Sequence, residues 1–190
     1  MAKSLLLGSV LGGLIVFVWS TVSWVVLPWH DGTFASLQNE EAVAGALMDQ
    51  APRSGLYLLP NMPHADMDDA AMAEFQKRQA QGPHAFIAFK REGIDGMGAA
   101  MVAGLLTNVI AAFIVTWIIA VGAARAYWLR VAQAVGIALA AGVMVHLAYW
   151  NWWQFPLAYT AIGIVDLVIA WFLAGLVIAR LIPKHISNMA

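Results

Sequence analysis

Four long apolar runs, separated by polar stretches of very unequal length, set the pattern of this chain. They cover residues 4–27, 97–124, 131–150 and 156–179. Each reaches the roughly 20 residues that cross a bilayer core as a helix rising about 1.5 Å per residue. Lipid offers a backbone no hydrogen-bond partner, so each run is expected to be helical. The first two runs carry no charge, the third carries Gln133 and His146, and the fourth carries Asp166. The first run follows Lys3 but is longer than a signal-peptide core and precedes no small-x-small cleavage site, so it reads as an uncleaved signal anchor over 1–27.

Between the first and second runs lies an insert, residues 28–96, with patterning of its own. Asn39, Glu40 and Glu41 before an alanine-rich stretch read as a capped helix start with acids in the first turn. Residues 66–81 read as a second helix, with Met72, Phe75 and Gln79 on one face. Residues 55–60 and 84–89 are short, apolar and bounded by Pro and Gly, as strands are, and can pair with each other. The expected architecture is an all-α membrane fold. A bundle of four transmembrane helices carries a small α+β extracytoplasmic insert between helices 1 and 2. The last three spans occupy 97–182, and 183–190 form a tail.

Composition supports lipid as the main solvent. The 190 residues are 62% hydrophobic and 11% charged, against about 25% charged in soluble domains. There is no cysteine, which removes disulfides, thiolate metal sites and cysteine nucleophiles.

Charge adds direction. Of 11 acidic residues, Asp166 alone lies outside the insert. Lys3, Arg125 and Arg130 in the short link between the second and third runs, Arg180 and Lys184 all fall on one side if both termini are cytoplasmic, and that side has no acid. This is the positive-inside pattern, and it places the insert outside. Trp29, Trp150, Trp152 and Trp153 then mark the outer interface, and Tyr127 and Trp128 the inner one. The run from Tyr149 to Gln154 is denser in tryptophan than anchoring needs, so Trp150 and Trp153 are candidate lining for a ligand pocket. Small residues at four-residue spacing (Gly8 and Gly12; Ala100 and Gly104; Ala134, Ala138 and Gly142; Ala170 and Ala174) point to close helix packing, within one chain or between two.

Candidate chemistry centres on Asp166. It lies about 15 Å along its helix from the outer end, where a carboxylate costs a few kcal/mol, so it should face the bundle. Asn108 is expected at similar depth, with Ser20 and His146 nearer the outer face. These residues define either a polar ligand site or proton path, or a neutral Asp166 hydrogen-bonded to Asn108 or a serine. His30 and His146 are candidate metal ligands, because imidazole with carboxylate suits zinc or copper. Met62, His64, Asp66 and Met67 add donors in the insert. No cofactor can be named from these residues. The sequence holds no Gly-x-Ser-x-Gly elbow and no phosphate loop. A Ser23–His146 pair is the nearest approach to a nucleophile and base. No basic patch with interleaved aromatics speaks for nucleic acid.

The stretch Ser23-Trp24-Val25-Val26-Leu27-Pro28-Trp29-His30, followed by Asn39-Glu40-Glu41-Ala42-Val43, resembles small bacterial inner-membrane proteins of uncharacterised type. The resemblance covers about a quarter of the chain and implies a bacterial inner membrane, but no activity and no site residues. The leading functional expectation is a non-catalytic accessory, scaffold or sensory subunit, contacting a membrane-protein partner or a second copy of itself. The alternatives are a small transporter or channel-like protein using Asp166 and Asn108, and a membrane metal or redox protein using His30 and His146.

Overall fold

The computed structural model describes residues 1–61, 68–94, 96–122 and 126–183. The Met62–Met67 donors, with His64 and Asp66, lie outside the described residues. So do Arg125, Lys184 and the tail beyond Pro183. The described chain is mostly helical. It divides into two units, Met1–Ala35 with Gly96–Ala190, and Ser36–Asp95.

The first unit holds four helices long and apolar enough to cross a membrane: α1 (Ala2–Val25), α4 (Met97–Val121), α5 (Tyr127–Trp153) and α6 (Leu157–Leu181). Each matches one apolar run. In space they do not follow chain order. α1 packs on both α4 and α6, α5 packs on α6, and α4 and α5 share little contact. The common core joins Val16, Ala112, Ile119, Ala134, Ala174 and Ile178.

The small residues explain this arrangement. Gly8, Gly12, Ala134, Ala138, Gly142, Ala170 and Ala174 are all buried within the chain. Their stripe therefore serves intramolecular packing. A Cβ on Gly13 would stand 2.6 Å from Val109 Cα, so the α1 and α4 backbones meet there. Ala100 departs from the pattern and is exposed.

Arg130 differs from its expected place in a short charged link. It lies in the first turn of α5, 5% exposed. Its guanidinium donates to the carbonyls of Ile182 (2.5 Å), Pro183 (3.2 Å) and Ala179 (3.4 Å). The last carbonyls of a helix have no intrahelical donor and carry partial negative charge, and a guanidinium fork satisfies both needs. Beside it, Tyr127 donates its hydroxyl to Leu176 O at 3.0 Å and stacks against Arg180.

The second unit contains α2 (Glu40–Gln50), β1 (Gly55–Leu59), α3 (Asp69–Gln81) and β2 (Ala85–Phe89). Asn39 caps α2 as expected, accepting from the Ala42 N–H at 2.9 Å, and Asp68 caps α3 in the same way at 2.8 Å. The strands pair antiparallel, Gly55 opposite Phe89 and Leu59 opposite Ala85. Phe75 is the buried residue of the α3 face, whereas Met72 stays exposed. Arg91 ties α2 to the strand pair, donating to Met48 O (2.7 Å) and Ala51 O (2.9 Å).

Next to it, the Ser54 hydroxyl donates to Glu92 at 2.7 Å while accepting from the Arg91 N–H at 2.9 Å. The Ser54 bond holds the Glu92 carboxyl below its ordinary 4.5, with a backbone N–H, Lys90 and Arg91 acting in the same direction. A carboxyl depressed on folding stabilises above its unfolded value, and that contribution fades as pH falls through the folded value. The Arg91 amide resonance is therefore expected to shift as pH drops below about 4.5. In Ser54→Ala the transition should move up toward 4.5. An unchanged titration would show that the Ser54 contact does not form.

Candidate functional site

Asp166 faces the interior of the bundle, and its partners come from the first span and the turn that follows it. The Trp19 indole N–H donates to Asp166 Oδ1 at 2.5 Å. His30 Nε2 lies 3.6 Å from Oδ2, within ion-pair range but too long for a good hydrogen bond. Asn108 makes no bond to Asp166. It lines the same cavity instead.

The approach of His30 differs most from sequence expectation. It belongs to no solvated outer loop: it is buried, 5% exposed. Pro28 cannot continue the hydrogen-bond ladder of α1, and the chain turns there into a short 3-10 helix, Pro28–Thr33. That turn packs on both α1 and α6. Residues 28–35 thus belong with the spans rather than with the insert. The Trp24 ring stacks on His30 with centroids 3.9 Å apart, and Trp29 meets it edge-on. Trp29 also donates to Ser23 Oγ (3.0 Å) and Ser23 O (3.2 Å), pinning the turn to the end of α1. Trp29 is therefore a clamp as much as an interfacial anchor.

Ser23, His30 and Asp166 together invite comparison with a catalytic triad, and the geometry argues against one. Ser23 Oγ lies 3.0 Å from His30 Nε2, the nitrogen that also faces Asp166. In a triad the carboxylate holds the other nitrogen, fixing the tautomer that lets Nε2 accept the nucleophile's proton. Here Nδ1 is buried without a partner, and Ser23 is fully buried. Ser23 pairs with His30 rather than with His146.

The cluster borders a cavity of about 330 Å³, lined from all four transmembrane helices and the turn. Ser20, His30, Asn108, His146, Tyr159 and Asp166 supply its polar groups. Asp166, Asn108, Ser20 and His146, grouped from the sequence as candidates, all line this one space. His30, read from sequence as a metal candidate, joins them. Trp150 and Trp153 do not line this cavity. Trp150 is exposed near the end of α5. Trp19, Trp24 and Trp29 are the aromatic residues that shape the cluster. A usable signal existed for Trp19: an indole N–H well inside an apolar span needs an acceptor, and the spans hold one carboxyl.

His146 reaches the cavity because Gly163 faces it. A Cβ there would stand 2.5 Å from the imidazole Cε1 and 2.8 Å from Nδ1. Gly163→Ala is expected to push the ring aside and cost about 1–3 kcal/mol. Thermal unfolding in detergent measures this. The cost should shrink when His146→Ala is added, and equal costs in both backgrounds would show that the ring is not the obstacle.

Among the described residues, no group of three His, Cys, Asp or Glu side chains converges to hold a metal ion. His30, His146 and Asp166 share the cavity without meeting at a point. No protein family, curated protein or solved structure matches this chain.

Proposed function

We propose that this is a non-catalytic sensory or accessory subunit of a bacterial inner membrane whose transmembrane unit recognises a small molecule. The carrying observation is the carboxyl of Asp166, held by Trp19 and approached by His30 at the edge of a cavity. Its volume lies at the lower end of the range of small-ligand sites, about 300–1,000 Å³. A buried ionisable group in a span is a functional candidate by default. The lack of triad geometry at Ser23 favours recognition over catalysis.

In this reading both termini are cytoplasmic and the second unit lies outside. Lys3 and Arg180 support it, through the bias of basic residues to cytoplasmic ends. Arg130 supports it less, because its charge is spent on the end of α6. The absence of cysteine makes the topology directly testable. Ser36→Cys should react with an impermeant maleimide on intact cells, and Lys3→Cys only after lysis. The reverse pattern would invert the topology.

Asn108 and Asp166 on one cavity also favour the second reading, a small transporter. Pulldown of the full chain in mild detergent separates the two. A stoichiometric partner protein is the expected result, and a lone homo-oligomer would favour transport.

A further inference from the structure

We infer that the cavity ligand is a small protonated amine, primary or secondary, bound with its N–H groups toward Asp166 and Ser20. The inference rests on the ligand-binding reading above and names its chemical class.

The lining offers a ligand acceptors at Asp166 and Ser20, beside donor groups on Asn108 and Tyr159. An ionised carboxylate offers about four acceptor positions. Asp166 has one well-formed hydrogen bond, from Trp19, and its side chain retains 14% exposure. Ser20 donates its hydroxyl proton to Val16 O at 2.9 Å, so its oxygen meets a ligand as an acceptor. His30 acts beside them as a positioning group: its Nε2 faces Ser23 Oγ at 3.0 Å and Asp166 Oδ2 at 3.6 Å, while its Nδ1 is sealed from the cavity. Leaving the Asp166 and Ser20 acceptors unpaired away from water costs free energy that a donor recovers.

Charge points the same way. Among the described residues no lysine or arginine lines the cavity, so a cationic ligand meets the Asp166 carboxyl and no fixed positive charge. Trp24, Tyr159 and Trp171 line the remaining wall, and aromatic faces attract cations. A quaternary ammonium would satisfy charge and faces but bring no N–H for Asp166 or Ser20. An anion would meet carboxylate and lone pairs. The volume suits one ring, since a dry cavity of about 150 Å³ takes benzene.

The test uses the full chain purified in mild detergent, at a pH where free histidine is neutral. Thermal stabilisation is read with four ring-bearing probes: benzylamine, benzyltrimethylammonium, benzyl alcohol and benzoate. Benzylamine is expected to stabilise saturably, and each other probe to bind roughly tenfold more weakly or not at all, as lost charged hydrogen bonds require. Asp166→Asn should lose the preference for the amine over the alcohol. Because the probe series is read on the unaltered protein, misfolding of that variant would leave the test intact. Equal binding of benzyl alcohol, or tighter binding of the quaternary ion, overturns the amine assignment and leaves the ligand site standing. Saturable binding of benzylamine that persists undiminished in folded Asp166→Asn also overturns it. No stabilisation by any probe overturns the ligand-binding reading together with the amine.

Discussion

Gly13→Leu should prevent α1 from seating against α4, at a cost of about 3 kcal/mol or more. At this position a Cβ meets main chain: Val109 Cα at 2.6 Å and Val109 N at 2.7 Å. A side-chain neighbour could rotate away, but a helix backbone has no such freedom. The preceding residue provides the control. A Cβ on Gly12 meets the far end of Ile178, Cδ1 at 2.9 Å, and Ala112 Cβ at 3.2 Å. Ile178 can shift its terminal methyl, so Gly12→Ala should cost clearly less than Gly13→Ala. Denaturant unfolding of detergent-solubilised protein measures both. Equal losses at the two positions would show that backbone approach at Val109 is not the limiting contact.

The second large effect is expected at Arg130. Arg130→Met keeps much of the side-chain volume and removes every donor to Ala179, Ile182 and Pro183. Hydrogen bonds from a charged group contribute about 1.5–3 kcal/mol each, and a cation at a helix C-terminus adds up to about 2 kcal/mol. Water at the membrane edge will replace part of this, so a net loss of about 2–4 kcal/mol is expected. Arg130→Lys should recover less than half, since a point charge on a flexible stem cannot span three carbonyls. Hydrogen exchange over the last turn of α6 should rise in both variants. Protected amides there in Arg130→Met would mean that the cap contributes nothing.

Arg130 and His30 show where sequence reading stops. The four spans were legible because an apolar run of that length has one solution in lipid. The insert was legible because Asn39 and the Pro- and Gly-bounded strands act locally. Arg130 counted as a link residue because hydropathy ends a span at a charge. Its true role depends on where α6 terminates, about 50 residues later, and no window holds both. His30 was placed outside for the same reason: it follows Pro28, where the apolar run stops. Its burial comes from a turn that folds back over α1 and α6, a tertiary event. The four polar residues around the cavity were legible because polar groups in a span must face inward, whichever helices they meet. What could not be read was the pairing. Asp166 was expected to find Asn108 or a serine and instead is held by Trp19 and approached by His30.

The spatial order of the spans also bears on biogenesis. α1 is made before α4 and must wait for it, with the whole insert translated between them. α5 then follows with little contact to either helix already made. Its partner is α6, which is translated after it. A chain arrested after Trp153 would therefore hold a paired α1 and α4 beside an orphan helix. Such an intermediate is a natural target for membrane chaperones and quality-control proteases until Leu181 is inserted.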